Sequence, residues 1–274
     1  MSTVPSVPNG ATCATYEVLA IRFAARATTR SSLFLNHHVY GPDGPMDMDF
    51  FLWVARNRER TVIIDTGYGQ AARQTTRLPR TELAEPVAAL AGLGVHPQDA
   101  PMIIATHAHY DHIGNLTAFP RSEIVIGRAE FDFWTGPYAT RQLFAHTTEP
   151  GDLAHLVEIR DQGRATFVDQ TTTVAPGIEV IPVGGHTPGQ LVVSIATATG
   201  RAVLTSDAAH FYEEVELDRP FAYLTDLIGV YRAYALLREM AAEPDVVLVP
   251  GHDPDVMRRF PVVDGADGLV VRIA

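Results

Sequence analysis

The segment THAHYDHIGN at positions 106–115 places four potential metal ligands, His107, His109, Asp111 and His112, within six residues. It follows an apolar run, PMIIA, that is typical of a buried strand. An extended chain directs alternate side chains to one face, so His107 and His109 can point to the same centre while the next turn supplies Asp111 and His112. The motif therefore predicts two metal half-sites at the end of a strand.

Three further ligand-type residues each follow a strand-like apolar run: His186 in VGGHTPGQ, Asp207 in LTSDAAH and His252 in VPGHDP. Strand ends can lie along a common sheet edge, so residues that are distant in sequence can meet there. A single histidine in such a place is more often a surface or core residue. Seven ligand-type residues at strand ends are hard to explain as packing, because buried imidazoles and carboxylates without partners are costly.

The chemistry of these residues restricts the metal site. Cys13 is the only cysteine, which excludes an internal disulfide and a cysteine-built zinc site. Imidazole and carboxylate ligands suit Zn²⁺ and also Mn²⁺, Fe²⁺ or Co²⁺. The sequence therefore indicates a catalytic type of site.

The charge of the chain bears on its partners. A net charge of −11 opposes a large phosphate-binding surface, so we expect a small-molecule substrate and no nucleic acid. No stretch approaches the roughly 20 apolar residues of a membrane helix, and the first residues lack a basic segment followed by an apolar run. We therefore expect a cytoplasmic protein without a membrane partner, either a monomer or a homodimer.

The order of apolar runs predicts an α/β fold. Residues 1–15 are rich in Pro, Ser and Thr and are expected to form a flexible N-terminal arm, with a single domain over 16–274. Strand-like runs cover 32–40, 49–56, 61–67, 101–109, 123–127, 178–185, 190–197, 201–207 and 246–252. Helical patterns cover 81–93, 128–146, 150–163 and 222–242. This alternation favours two sheets packed face to face with helices outside.

The HxHxDH motif at 107–112, GGHT at 184–187, the later Asp207 and the GH at 251–252 together resemble the metallo-β-lactamase superfamily. The resemblance extends from about 30 to 260 and includes IIDTG at 63–67. It implies an αβ/βα sandwich with two Zn²⁺ ions between the sheets. By position, it assigns His107, His109 and His186 to one ion, Asp111, His112 and His252 to the other, and Asp207 to a bridge. A hydroxide shared by the ions would be the nucleophile.

Within the superfamily, the pattern is most similar to the lactonase branch typified by N-acyl-homoserine lactonases and 4-pyridoxolactonase. The resemblance implies the opening of a lactone ring, as in quorum quenching. Zinc β-lactamases lack the bridging aspartate, and the acidic balance disfavours the RNA-processing members. A thioester hydrolase of the glyoxalase II type, another hydrolase of small esters or amides, and a non-catalytic metal-binding protein remain alternatives.

One position departs from the lactonase pattern. Those lactonases typically carry a tyrosine three residues after the bridging aspartate, and this chain has His210 there, followed by Phe211 and Tyr212. Either His210 or Tyr212 is a candidate to donate a hydrogen bond to the substrate oxyanion, although a histidine that caps a loop is an equal alternative. Asp111 is a candidate to relay a proton to the leaving alkoxide.

Two aromatic segments are candidates to shape a pocket. GPDGPMDMDF at 41–50 supplies Met46, Met48 and Phe50, and the stretch 128–160 contains Trp134 and Phe144. Most such residues belong to a core, so only some are expected to contact a ligand.

Overall fold

The computed structural model describes residues 14–74 and 79–274, so residues 1–13 of the predicted arm lie outside the described residues. The described strands are β1 (Glu17–Thr29), β2 (Pro45–Arg56), β3 (Thr61–Ile64), β4 (Thr81–Glu82), β5 (Met102–Ala105), β6 (Ile124–Gly127), β7 (Ala165–Val168), β8 (Thr172–Ala175), β9 (Ile178–Pro182), β10 (Leu191–Thr197), β11 (Gly200–Ser206), β12 (Val246–Pro250) and β13 (Val270–Arg272). The described α-helices are α1 (Arg30–Leu33), α2 (Gln70–Gln74), α3 (Pro86–Gly92), α4 (Tyr110–Ile113), α5 (Arg128–Trp134), α6 (Gln142–Ala145), α7 (Pro150–Asp161), α8 (Tyr212–Leu217), α9 (Leu227–Ala241) and α10 (Asp255–Arg259).

The strands form two mixed sheets. The first has the order β13-β1-β2-β3-β5-β6-β7, with β4 paired to β1, and the second has the order β12-β11-β10-β9-β8. Strands β3, β5, β6 and β7 are parallel, as are β11 and β12. The runs TVII, MIIA and IVIG are almost entirely buried, as expected of parallel strands covered on both faces.

An apolar core fills the space between the sheets. Trp53 and Ile104 of the first sheet pack there with Val193 and Leu204 of the second. Helices cover the outer faces: α3, α5 and α7 pack on the first sheet, and α9 packs on the second through Tyr234 and Leu237. The predicted αβ/βα sandwich is therefore confirmed.

The structure corrects several predicted elements. Residues 32–40 form part of α1 and a 3₁₀ turn over His37–Val39 instead of a strand. The chain reverses there at Asn36, whose φ of 50° lies in the left-handed region. The predicted helix over 128–146 is divided into α5 and α6, and the first residues of the predicted helix 81–93 form β4. In the described part of the chain, no helix has the length and apolar character needed to cross a membrane.

Candidate metal centre

The seven predicted ligands are buried and meet at one edge of the two sheets. β5 leads into the segment that carries four of them, and His186, Asp207 and His252 follow β9, β11 and β12. They form two groups, and within each group one ligand atom from every residue lies within 4.8 Å of the others. The first group is His107, His109, His186 and Asp207, and the second is Asp111, His112 and His252. This division agrees with the one that the resemblance implied.

Asp207 lies between the two groups. Its Oδ2 is 3.6 Å from Nε2 of His107 and 3.4 Å from Nε2 of His186. Its Oδ1 is 3.4 Å from Nε2 of His112 and 3.2 Å from Nε2 of His252. Each carboxylate oxygen therefore faces the histidines of a different group, which is the arrangement that a bridging ligand requires.

Hydrogen bonds at Nδ1 fix the direction of three histidine rings. His112 donates to Asp65 Oδ2 at 2.8 Å, His186 to the carbonyl of Tyr223 at 2.8 Å, and His252 to the carbonyl of Asp49 at 2.7 Å. Because each Nδ1 donates its proton to one of these oxygens, the neutral ring has its lone pair on Nε2, which faces the centre. His109 differs, since its Nδ1 lies 3.0 Å from Nε2 of His186.

Burial sets the protonation of the first group. It holds the pKa of His107 and of His109 well below the usual value, and neighbouring imidazoles add to this effect while Asp207 opposes it. Burial likewise lowers the pKa of His186 to about 3, although Asp207 opposes it. These three imidazoles are therefore neutral at pH 7, which is the form that binds a metal.

Several ligand atoms fit a bound cation. Nε2 of His107, His112 and His252 and Oδ1 of Asp207 are buried, and none has a hydrogen-bond partner among residues 14–74 and 79–274. Leaving such atoms unpaired costs about 1–3 kcal/mol each, and metal ions would satisfy them. The set of imidazole and carboxylate donors suits two Zn²⁺ ions and also Mn²⁺, Fe²⁺ or Co²⁺. The residues therefore fit a dinuclear site without selecting the metal.

Asp65 is a positioning residue that the sequence analysis did not single out. It is fully buried after β3 and has a left-handed φ of 61°. Besides His112, it accepts hydrogen bonds from the backbone N–H of Thr106 at 2.8 Å and from the Thr106 hydroxyl. It therefore connects the end of β3 to the start of the ligand segment. The IIDTG motif contained this residue, but nothing in the motif indicated its partners.

Glu130 is a second buried carboxylate without a sequence signal. It accepts hydrogen bonds from the N–H of Ala108 at 2.9 Å, from the N–H of Gly189 at 2.9 Å and from Nε1 of Trp134 at 2.6 Å. Ala108 lies between two ligand histidines, and Gly189 follows His186 in its loop. Glu130 thus holds together two loops that carry ligands of the first group.

His210 lies beside the centre and is stacked on Phe221, with ring centroids 3.6 Å apart. Its Nε2 is 3.0 Å from Oδ2 of Asp207 and its Nδ1 is 3.3 Å from Oε1 of Glu214. Burial lowers the pKa of His210, but the two carboxylates outweigh it and raise the value to about 9. Glu214 in turn accepts hydrogen bonds from the N–H of His210 at 3.0 Å and from the Tyr234 hydroxyl at 2.6 Å.

The structure does not bring Tyr212 to the same place. Its backbone N–H donates to Asp253 Oδ2 at 3.0 Å, and its ring lies 3.5 Å from the guanidinium carbon of Arg259. The side chain lines a separate groove beside β12. Since α8 begins at Tyr212, the helix directs this side chain away from the ligands, whereas His210 precedes the helix.

A cavity of about 400 Å³ opens over the two groups. Met48, Phe50, Phe221 and Tyr223 supply apolar wall, and His210 and Asp111 also line it. Of the aromatic residues considered in 128–160, Trp134 is buried 5.6 Å from His109, where it supports a ligand from outside the cavity.

Comparisons with known proteins agree with this geometry. A family model of the metallo-beta-lactamase superfamily matches residues 51–252. An N-acyl homoserine lactonase from Bacillus sp is 26% identical over 226 residues, which cover 77% of this chain and 84% of that protein. The N-acyl homoserine lactonase AttM from Rhizobium radiobacter is 27% identical over 176 residues, or 61% of this chain and 64% of that protein.

Solved structures show the same fold. A quorum-quenching N-acyl homoserine lactone lactonase superposes with a TM-score of 0.76 and 23% identity, covering 92% of this chain and 98% of that one. An N-acyl homoserine lactone hydrolase with the product N-hexanoyl-L-homoserine at its catalytic metal centre has a TM-score of 0.74 and 22% identity, covering 91% and 98%.

Proposed function

The chain belongs to the metallo-beta-lactamase superfamily, and we propose that it is a dinuclear metal-dependent hydrolase that opens lactone rings. The observation that carries the proposal is the position of Asp207, whose two oxygens face two groups of buried ligands at the base of a cavity. The lactonase relatives support the choice of a cyclic ester as substrate.

Bound ions would supply activated water and Lewis acidity at this place. The protein itself contributes the preorganised ligands, because hydrogen bonds at Nδ1 hold the rings of His112, His186 and His252. The apolar side chains of Phe50, Met48 and Phe221 would exclude bulk water from a bound ring. Asp111 lines the cavity and can accept or return a proton there, which is the relay role that the sequence analysis proposed for it.

The position of His210 supports a role towards Asp207. The imidazole lies between two carboxylates, with Nε2 3.0 Å from Oδ2 of Asp207 and Nδ1 3.3 Å from Oε1 of Glu214, so a protonated ring would attract both as ion pairs. We therefore assign His210 to positioning the bridging carboxylate, and its direct donation to the substrate oxyanion stays a prediction. Tyr212 is the less favourable of the two candidates, because it lines a different groove.

Turnover by the metal-loaded protein tests the proposal. A panel of a γ-lactone, a thioester, a phosphodiester and a β-lactam should show the highest kcat/KM for the lactone. The same protein stripped of metal is the matched control and should be inactive towards all four. A higher kcat/KM for the thioester would indicate the glyoxalase II type of reaction instead. If the metal-loaded protein hydrolysed none of the four compounds, a hydrolase of small acyl compounds would be contradicted.

A further inference from the structure

Two arginines line the cavity over the metal ligands, on the side formed by β1 and β4. Arg26 lies near the end of β1, and Arg80 immediately precedes β4. Both side chains are partly buried and both contribute to the cavity wall together with Tyr110 and Asp111. Neither arginine is one of the seven candidate metal ligands, so binding of metal does not explain why the two lie in the cavity wall.

The strand register places the two arginines opposite each other. β1 and β4 are antiparallel, with Ala24 opposite Glu82 and Ala25 opposite Thr81. The same register, continued by one residue, sets Arg26 opposite Arg80. Like charges at directly opposed positions of an antiparallel pair are destabilising, so this pair requires a compensating anion or a functional reason.

The described part of the chain supplies no such anion. Neither Arg26 nor Arg80 forms an ion pair with a described carboxylate within 4.0 Å, and the buried Nε of Arg26 has no described hydrogen-bond partner. Glu149 lines the same cavity but is not ion-paired with either arginine in residues 14–74 and 79–274. A guanidinium group in a partly buried wall without a carboxylate partner is suited to bind a carboxylate from outside.

Local contacts hold Arg80 in place. Its guanidinium carbon lies 4.1 Å from the ring centroid of Tyr68 and 5.1 Å from that of Tyr110. One of its terminal nitrogens donates to the Tyr110 hydroxyl at 3.2 Å, and the other donates to the carbonyl of Ala72. These groups are neutral, so they orient the guanidinium without cancelling its charge. A preorganised cation loses less entropy when it binds an anion.

We propose that this arginine pair binds a carboxylate on the substrate, so that the preferred substrates are lactones with an acidic substituent remote from the ester carbonyl. The proposal rests on the proposed lactonase function for the position of the ring. A cavity of about 400 Å³ lies within the usual range for small-molecule sites and suits a lactone with a short acidic substituent. Bound divalent ions would add positive charge, so that the cavity as a whole attracts an anion although the protein carries a net charge of −11.

The first experiment compares two γ-lactones that differ only in one substituent, a carboxylate in one and the isosteric carboxamide in the other. The wild-type protein should prefer the carboxylate by roughly ten-fold or more in kcat/KM, mainly through a lower KM. Arg26→Met and Arg80→Met should lose this preference, because kcat/KM falls much further for the carboxylate than for the carboxamide. Arg80→Lys, which keeps the charge, should retain part of the preference and guards against a misfolded variant. Arg232→Met, at an exposed position of α9, is the control for net charge and should behave as wild type.

The second experiment measures binding without turnover. Calorimetry on the metal-loaded protein compares glutarate with pentanoate, which has the same chain length and one carboxylate fewer. Wild type should bind glutarate at least several-fold more tightly, and Arg26→Met and Arg80→Met should not. A difference in binding without hydrolysis of either lactone would refute the lactonase proposal and keep the anion site. Equal hydrolysis of both lactones together with equal binding of both acids would overturn the anion site and leave the lactonase proposal standing.

Discussion

Nε2 of His210 lies 3.0 Å from Oδ2 of Asp207, the carboxylate oxygen that also faces His107 and His186. Glu214 lies on the other side of the imidazole, with Oε1 3.3 Å from Nδ1. Neither ring nitrogen has a hydrogen-bond partner among the described residues, so a protonated His210 would orient the Asp207 carboxylate through the attraction of opposite charges. His210 can therefore act in one of two ways, either on the substrate or on the carboxylate of Asp207.

His210→Ala is expected to lower metal affinity by roughly 10–100-fold, the usual effect of losing a partner of a metal ligand. The activity should fall with it. Competition with a chromogenic chelator measures the affinity, and His210→Gln should restore part of it because a side-chain amide can donate to Asp207. Unchanged affinity combined with a kcat lower by about a hundred-fold would instead support direct donation to the substrate oxyanion.

The metal-loaded protein is expected to contain two equivalents of transition metal. The two buried groups each offer a set of protein ligands, and Asp207 faces both of them. Removing the metal should lower the thermal midpoint by about 5–10 °C, if free metal is otherwise kept near a hundred times its Kd, because the ions bind only the folded state. Elemental analysis that finds a single equivalent after saturation with Zn²⁺ would contradict the dinuclear interpretation.

The sequence could predict that the seven candidate ligands come together, because they follow apolar strands and strand ends meet at a sheet edge. It did not predict β1, Glu17–Thr29, although this strand pairs with β2, β4 and β13. β1 is largely buried on both faces, one against the second sheet and one against the helices, so its residues show no alternation of polar and apolar side chains.

The sequence also could not indicate side-chain neighbours that are brought together only by tertiary contacts. Arg26 and Arg80 become neighbours only because β4, a strand of two residues, pairs with β1. In the same way, Asp65 and Glu130 are fixed by contacts with ligand loops that are remote in sequence. His210 was recognised as a departure from the lactonase pattern, but its proximity to Glu214 depends on the turn into α8.

Asp65→Asn is expected to weaken metal binding at the second group by roughly 10–100-fold, because the neutral amide holds His112 less strongly than the carboxylate does. Asparagine tolerates the left-handed backbone at this position, where φ is 61°. Asp245→Asn is a matched control, since Asp245 is exposed and has the same φ of 61°. Titration with Zn²⁺ should show one weakened equivalent in the Asp65 variant only. If both Zn²⁺ equivalents bound with unchanged affinity, the positioning role of Asp65 would be contradicted.

Asp152 is expected to reduce stability at neutral and alkaline pH. Burial and the charge of Glu149 raise the pKa of Asp152 to about 7. In the unfolded chain the group titrates near a pKa of about 3.9, so the folded state binds its proton more tightly. The resulting loss of stability is absent in acid, grows as the pH rises from about 4 to 7 and is complete above that range. Asp152→Asn should therefore stabilise the protein by about 1–2 kcal/mol at pH 8, a value that allows for solvent screening.

Thermal midpoints of wild type and Asp152→Asn, compared at each pH from 4 to 8, measure this difference. The advantage of the variant should shrink towards pH 4. Asp132→Asn, which changes an exposed acid of α5, is the control and should differ little from wild type at every pH. An advantage of Asp152→Asn that stays constant over the whole range would show that the carboxyl charge is not its cause.

Gly251→Ala is expected to disturb the metal centre through the backbone. A Cβ atom at Gly251 would lie 2.8 Å from Oδ1 of Asp207 and 2.8 Å from the carbonyl carbon of Ser206, closer than real Cβ contacts allow. The end of β11, the Asp207 carboxylate or the loop that carries His252 must therefore move. Overpacking of this kind costs about 1–3 kcal/mol of stability, and a displaced Asp207 would also weaken metal binding.

The matched control is Gly151→Ala in the first turn of α7, where a Cβ atom would meet no neighbour within 4 Å. Alanine is the better helix former there and should stabilise the protein slightly. Thermal midpoints with and without metal distinguish the two effects at Gly251. A midpoint lowered equally with and without metal would indicate simple strain, whereas a smaller gain in midpoint on adding Zn²⁺ would show that the ligands themselves have moved. If Gly251→Ala matched Gly151→Ala in both measurements, the close approach of the Gly251 backbone to Asp207 would have no part in forming the site.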